Sequence, residues 1–163
     1  MAEAKVAGIH QSDFVSDWTL DHARRLYQIP AWSEGYFDIN NAGHLVALPS
    51  KDEGKTIDLY ELALRLKQNG QTPPVLLRFT DILQHRVDGL CGAFHQAMQQ
   101  NGYTAPYTAV YPIKVNQQRK VIEDIIRHGG KRIGLEAGSK PELLTSIALA
   151  GPGSTVKIGR AHV

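Results

Sequence analysis

A regular alternation of strand-like and helix-like segments constrains the fold of this 163-residue chain more than any other feature. Runs rich in Val, Ile and Tyr alternate with runs in which apolar residues recur every three or four positions, and the loops between them are short. Such an alternation implies right-handed βαβ units around a parallel sheet, and hence an α/β fold. The predicted order is a strand at 109–115, a helix at 116–130, a strand at 133–137, a helix at 139–151 and the start of a strand at 154–156.

Cap residues define the ends of these predicted helices. Asn116 is the expected start of the first helix, which a pair of glycines ends at Gly130. Ser139 and Glu142 have the spacing of a capping box, and Pro141 stands in the first turn of the helix that they begin. Two and a half βα units leave the outer strands of a sheet unpaired, so we expect the chain to be part of a larger fold.

The N-terminal half has a different pattern. Residues 1–16 carry no periodicity, and we expect a loose leader there. Residues 17–28 predict a short helix that Pro30 closes. β-forming runs on both sides of an Asn/Gly-rich turn at 40–43 predict a β-hairpin.

Two further helices are predicted before the alternation begins. Thr56 is the expected N-cap of a helix that stops at Gly70, and Thr80 is the expected N-cap of a long helix that ends at Gly102. Residues 75–79 between them are a strand candidate. The predicted division of the chain is a leader at 1–16, an N-terminal segment at 17–79, an α/β part at 80–157 and a tail at 158–163.

The composition is that of an ordinary soluble globular protein. Eighteen Lys and Arg against sixteen Asp and Glu give a net charge of +2, without the concentrated positive face of a nucleic-acid-binding protein. Cys91 is the only cysteine, so an intrachain disulfide is excluded. Apolar runs fall short of the ~20 residues that span a bilayer, and a signal-peptide core is missing from the N-terminus. We expect a cytoplasmic protein that binds neither nucleic acid nor membrane.

Lys114 is the first candidate site residue, because it stands at the C-terminal end of a strand that otherwise has a buried pattern. Loss of hydration in such a position favours the neutral amine, which is the form that Schiff-base chemistry requires. On the residues alone, a lysine that extends from the strand end into solvent is the competing interpretation.

Glu136 and Ser139 are the other candidates. Glu136 lies near the end of the next predicted strand, so in a parallel sheet it would approach Lys114; an ion pair with a surface Lys or Arg is the alternative. Gly138 and Ser139 precede a helix N-terminus, where a phosphate can bind, although a loop and a helix cap explain them equally simply.

Three segments carry a resemblance to a known family. YPIKVNQQRKVIEDIIRHGGKRIGLEAGSKPELL at 111–144 is similar to the biosynthetic arginine decarboxylases of bacteria and plants, and so are PVLLRFTDILQHRV at 74–87 and WSEGYFDINNAGHLVALP at 32–49. YPIKVNQ and its spacing to GLEAGSK are the most specific of these features. Pro141 departs from the small residue that is usual in the family, but a first-turn proline leaves the helix intact.

The resemblance implies the alanine racemase-like fold of pyridoxal phosphate enzymes. That fold is a (β/α)8 barrel of the TIM type with an added β-domain, so the chain would supply the N-terminal strands of the β-domain and the first two to three βα units of an incomplete barrel. Lys114 matches the lysine that holds pyridoxal 5′-phosphate as a Schiff base. Glu136 matches a position near that lysine, and Ser139 is a candidate cofactor-binding residue. The family also binds Mg²⁺, for which the sequence shows no ligand set.

The implied activity is decarboxylation of L-arginine to agmatine and CO2 for putrescine and spermidine synthesis, by a homo-oligomer. We expect the 163-residue chain to be inactive alone, since later strands of the family supply the phosphate cradle and substrate-binding groups. Another decarboxylase of the same fold, for ornithine, diaminopimelate or carboxynorspermidine, remains an alternative. So does a pyridoxal phosphate-binding barrel protein without turnover.

The final residues suggest a separate origin. IGRAHV at 158–163 is what ATC GGA AGA GCA CAC GTC encodes, a string that lies inside a common short-read sequencing adapter. We expect this tail to be adapter read-through and the native sequence to end near Val156. Assembly of the gene from longer reads tests this expectation.

Overall fold

The computed structural model describes residues 18–159, and the chain divides into two compact units, Met1–Val75 and Leu76–Val163. The predicted leader at 1–16 lies outside the described residues, and so do residues 160–163 of the predicted tail. Each unit has its own sheet.

Short helices accompany an antiparallel sheet in the first unit. The elements are α1 Leu20–Leu26, α2 Ile29–Ser33, β1 Phe37–Ile39, β2 Leu45–Ala47, β3 Ile57–Asp58 and α3 Leu59–Gln68. Strands β1 and β2 form the predicted hairpin, in which Phe37 lies opposite Ala47 and Ile39 opposite Leu45. Gly43 has a φ of 81° in the connecting turn, a conformation that glycine adopts without steric strain.

Two predicted helix boundaries in this unit are wrong. Pro30 does not close α1, which ends at Leu26; Pro30 lies in the first turn of α2, where a residue without an N–H is tolerated. Thr56 is not the N-cap of α3. Asp58 takes that role because it ends β3 directly before the helix, and its carboxylate accepts hydrogen bonds from the N–H groups of Tyr60 and Glu61.

An ion pair joins α1 to β1 beside a small apolar core. Arg24 donates from Nε to Asp38 Oδ1 at 2.6 Å and from a terminal nitrogen to Asp38 Oδ2 at 2.7 Å. This two-bond geometry with Arg24 lowers the pKa of Asp38 below its usual 3.8, against the opposing effect of burial. The core itself is formed by Ala23, Ile29 and Ile39.

We predict that Asp38→Asn destabilises the first unit by about 1 kcal/mol at neutral pH, because both side chains of the pair are partly exposed and solvent weakens their attraction. A folded-state pKa below the unfolded value stabilises the protein above about pH 4, and this stability disappears as the pH falls through the folded-state pKa. The difference between wild type and variant should therefore shrink in acid. Urea unfolding followed by tryptophan fluorescence measures it, since Trp18 and Trp32 both belong to this unit.

Asp21→Asn is the matched control for this prediction. Asp21 contacts the same Arg24 through one bond of 3.2 Å, and its side chain is 81% exposed. Its replacement should change the stability by much less than Asp38→Asn. Equal effects of the two variants, or an Asp38→Asn effect that does not shrink as the pH is lowered, would contradict the assignment.

The second unit contains the strand–helix alternation that the sequence predicts. Its elements are α4 Thr80–Gln100, β4 Ala109–Pro112, α5 Arg119–Gly129, β5 Ile133–Ala137, α6 Lys140–Leu149 and β6 Val156–Ile158, with 3-10 turns at Ile113–Val115 and Gly130–Arg132. The three strands form a parallel sheet in the order β4-β5-β6. The prediction of an α/β fold with a parallel sheet is confirmed.

Several local predictions in this unit need correction. Residues 75–79 do not form the expected strand, because β-forming composition yields a strand only beside a pairing partner, and Leu76 is 74% exposed. Thr80 is the first residue of α4 and Phe79 its N-cap, without a side-chain cap hydrogen bond. Asn116 does not begin α5, which starts at Arg119. Its side-chain oxygen instead accepts from the N–H of Gln118 at 3.0 Å.

All three helices of the second unit cover one face of the parallel sheet. One buried cluster joins α4 and α5 to the start of the sheet, and a second joins α5 to the sheet's other end with Leu149 of α6 packed against it. Leu135 of β5 belongs to the second cluster and is 1% exposed. Since strand residues alternate between faces, Gly134 and Glu136 lie on the face opposite the helices.

Candidate active site

The sequence-predicted site residues all lie at the carboxyl edge of the parallel sheet. Strand β4 ends at Pro112, and the 3-10 turn Ile113–Val115 that follows carries Lys114. Pro112 pairs with Glu136 near the end of β5. Ser139 follows two residues after β5, as the N-cap of α6. Because parallel strands end at the same edge of a sheet, the residues at the ends of β4 and β5 lie on the same side of the unit.

Lys114 lies on a turn rather than in the strand, and its side chain is exposed. The predicted position of Lys114 in a buried strand is therefore wrong, and its amine is not desolvated by burial there. Its neighbour Ile113 is 1% exposed and packs against Ile122 and Leu135. Within residues 18–159, Nζ of Lys114 has no hydrogen-bond or ion-pair partner. The buried Ile113 thus anchors the backbone of the turn, while the amine of Lys114 stays accessible to a ligand.

Glu136 is partly buried on the face of the sheet that the helices leave open. Its carboxylate occupies the space beside Gly159, where a Cβ atom would collide with Oε1 and Cδ of Glu136. Within the described part of the chain, Glu136 is not ion-paired with Lys114 or with a surface Lys or Arg. Pairing of Pro112 with Glu136 places this carboxylate one strand away from the base of the Lys114 turn.

Ser139 has a structural role in this chain. Its hydroxyl accepts from the N–H of Glu142 at 3.4 Å, which confirms it as the N-cap of α6. The carboxylate of Glu142 accepts from the N–H of Gly138 at 2.7 Å, one residue earlier than in a standard capping box. The loop therefore supplies its own acceptors for these N–H groups, and cofactor binding by Ser139 stays a prediction.

Two variants separate the roles of Ser139. We expect Ser139→Ala to lower the free energy of unfolding by about 1 kcal/mol through loss of the helix cap, and Ser139→Asp to restore it because aspartate also accepts from the same N–H. If Ser139 also contacts a phosphate group, Ser139→Asp will weaken binding of pyridoxal phosphate by charge repulsion despite its restored stability. Urea unfolding and cofactor-binding titration measure the two properties, and equal cofactor affinity of wild type and Ser139→Asp would exclude the phosphate contact.

Sequence reasoning missed the hydrogen bond between Tyr111 and Asn116. The hydroxyl of Tyr111 donates to the backbone carbonyl of Asn116 at 3.2 Å, across the turn that carries Lys114. Burial raises the pKa of Tyr111 above its usual 10.0, so the hydroxyl keeps its proton at neutral pH. The signal that could have found it is a polar-tipped aromatic residue three positions before the lysine in a buried strand.

A cavity of 640 Å³ in this unit lies away from Lys114. Its lining includes Cys91 and His95 of α4, Tyr107 before β4, and Arg132 before β5. Residues that precede parallel strands lie at the amino edge of the sheet, whereas catalytic groups of α/β barrels lie at the carboxyl edge. Size alone therefore does not make this cavity the candidate active site.

Residues 18–159 contain neither a metal-binding cluster nor a membrane-spanning helix. Groups of three or more His, Cys, Asp or Glu side chains that could hold a metal ion do not occur among them. Helices in the same range are also too short or too polar to cross a membrane.

A parallel sheet with helices packed on one face defines the described part of the second unit as an α/β fold. The crystal structure of the biosynthetic arginine decarboxylase SpeA from Campylobacter jejuni is similar to this chain, with a TM-score of 0.72 and 32% sequence identity. The similarity covers 82% of this chain and 22% of that one. No protein-family model matches the chain.

Curated sequences give the same result. The biosynthetic arginine decarboxylase of Alkalilimnicola ehrlichii is 54% identical over 143 residues, and that of Pseudomonas aeruginosa is 47% identical over 146 residues. These alignments cover 87% and 90% of this chain. The aligned sequence is therefore similar to biosynthetic arginine decarboxylases over most of its length, as its three motifs indicated, and the chain spans about 23% of the length of these relatives.

Proposed function

We propose that a protein carrying this sequence decarboxylates L-arginine to agmatine and CO2, with Lys114 as the covalent anchor of pyridoxal phosphate. The observation that carries the proposal is the exposed primary amine of Lys114, which has no partner within residues 18–159, on an anchored turn at the carboxyl edge of a parallel sheet. The names of the relatives support arginine as the substrate. The same proposal includes three further properties: the agmatine is used for putrescine and spermidine synthesis, the protein is cytoplasmic, and it is a homo-oligomer.

The sheet topology supports a (β/α)8 barrel as the complete fold. Strands β4, β5 and β6 lie in sequence order, and the helices that connect them pack on one face. Right-handed crossovers between sequential strands produce this arrangement, whereas a doubly wound sheet reverses its strand order and has helices on both faces. The open face, with Gly134 and Glu136, would then line the barrel interior.

The residues present fit covalent attachment of pyridoxal phosphate. Attachment needs an accessible amine, and Nζ of Lys114 is exposed and free of ion pairs within residues 18–159. When bound, the cofactor supplies an electron sink for the electron pair that the departing carboxylate leaves behind. Lys114 would hold the cofactor through Nζ. The Glu136 carboxylate lies on the neighbouring strand, on the face that would line the barrel interior.

Magnesium does not fit the described residues in the same way. Residues 18–159 lack a cluster of three metal-binding side chains, so we assign Mg²⁺ no ligand and no step in this chain. The implied magnesium site of the family remains a prediction from resemblance.

Lys114→Ala tests the anchor directly. We expect borohydride reduction of the chain with pyridoxal phosphate to leave one phosphopyridoxyl group on the peptide that contains residue 114, and Lys114→Ala to abolish this modification, because the amine is the only part of the lysine that reacts. Peptide mass spectrometry locates the group. Lys131→Ala is the matched control, since Lys131 is also exposed but lies before β5 at the opposite edge. Equal modification of both variants would overturn the assignment of Lys114.

A second experiment tests the reaction itself. We expect the product of the whole gene, recovered with long reads, to release agmatine and labelled CO2 from carboxyl-labelled arginine. We expect no turnover by the 163-residue chain, which spans about 23% of its relatives' length. A whole-gene product that decarboxylates ornithine or diaminopimelate but not arginine would replace the proposed substrate, and one that binds pyridoxal phosphate without turnover would reject the enzyme assignment.

A further inference from the structure

The turn that carries Lys114 is held at several points, but not through Lys114 itself. From below, Ile113 inserts into the cluster with Ile122 and Leu135 at 1% exposure. The next two side chains both face solvent, and Val115 is 70% exposed. Because these side chains are mostly exposed, the position of the amine depends on how firmly the backbone around residue 114 is fixed.

One side-chain hydrogen bond closes this backbone segment. Tyr111 on β4 donates its hydroxyl proton to the carbonyl oxygen of Asn116 at 3.2 Å, so the bond spans residues 112–115. The ring of Tyr111 packs against both apolar clusters of the second unit, which fixes the donor in the sheet. The acceptor is itself held, since the side chain of Asn116 accepts from Gln118, the N-cap of α5.

We propose that Tyr111 is a positioning residue for Lys114: its hydroxyl holds the turn so that the amine stands at the carboxyl edge beside Glu136. The inference rests on the proposed function, in which Lys114 binds pyridoxal phosphate. Tyr111 touches neither the cofactor nor the substrate in this assignment, and it acts only through the backbone of residues 113–116. The ring supplies the packing and the hydroxyl supplies the orientation, so the two contributions are separable by removal of one oxygen atom.

Tyr111→Phe is the variant that makes this separation in the 163-residue chain. Tyr107→Phe is the matched control, because Tyr107 is also partly buried against the first apolar cluster while its hydroxyl has no hydrogen-bond partner within residues 18–159. Two readouts are measured on each protein. The first is hydrogen exchange of the amides at 113–118, and the second is the induced circular dichroism of attached pyridoxal phosphate, expressed per bound group.

Loss of the hydroxyl should speed exchange at 113–118 by about three- to tenfold, the range that one net hydrogen bond corresponds to. The dichroism per bound group should fall in Tyr111→Phe, since a cofactor on a loose turn samples many orientations. Both quantities should remain at wild-type values in Tyr107→Phe. A purely structural role of Tyr111 would lower the unfolding midpoint without changing the dichroism of the cofactor that remains bound.

The outcomes distinguish the two proposals. If wild type carries the cofactor at residue 114 and Tyr111→Phe keeps full dichroism and slow exchange, the positioning role is wrong while the proposed function stands. If wild type does not carry the cofactor at residue 114, the proposed function fails and this inference fails with it. Should Tyr111→Phe not fold, Asn116→Ala decides: it removes the bond from Gln118 that holds the acceptor segment, and dichroism that stays unchanged while exchange at 113–118 becomes faster rejects the inference.

Discussion

Parallel pairing of β4 with β5 is the constraint on which the second unit depends. The register places Tyr111 opposite Leu135 and Pro112 opposite Glu136, so each strand turns the same alternate positions toward the helices. Burial of Leu135 and its neighbours under α5 stabilises this register, because a shift by one residue would move the apolar side chains to the open face. The same alternation leaves Glu136 on the face away from the helices, beside the strand end from which the Lys114 turn emerges.

The candidate site combines a buried residue, Ile113, with an exposed residue, Lys114, at consecutive positions. Ile113 is among the most buried side chains of the chain, whereas Lys114 extends into solvent. A reactive amine needs access for its ligand, but it also needs a fixed origin, and the apolar contacts of Ile113 provide that origin without covering the amine. Tyr111 adds a directional hydrogen bond to these non-directional contacts. The arrangement explains why a flexible side chain at a strand end is compatible with a precise chemical role.

The elements that the sequence predicted best are those whose signals are local. The hairpin at 37–47 follows from an Asn/Gly-rich turn between β-forming runs, and β5 was predicted with its observed bounds from an apolar run between glycines. Predictions failed where two local interpretations competed. Thr56 and Asp58 are both good caps, and the β3 pairing decided for Asp58. Asn116 suits either a helix start or an Asx turn. The structure has the Asx turn, and the hydrogen bond from Tyr111 accompanies it.

The sequence by itself determined the α/β class, the hairpin and the similarity to arginine decarboxylases, because hydrophobic periodicity, turn residues and the YPIKVNQ motif are properties of short segments. Lys114, Glu136 and Ser139 could be singled out for the same reason. Only the tertiary structure decided that Lys114 sits on an exposed turn instead of in a buried strand, that Ser139 caps α6, and that Tyr111 spans the turn. Those facts depend on contacts between side chains of different strands and helices. Patterns within short segments do not encode these contacts, because they form only when the whole unit packs.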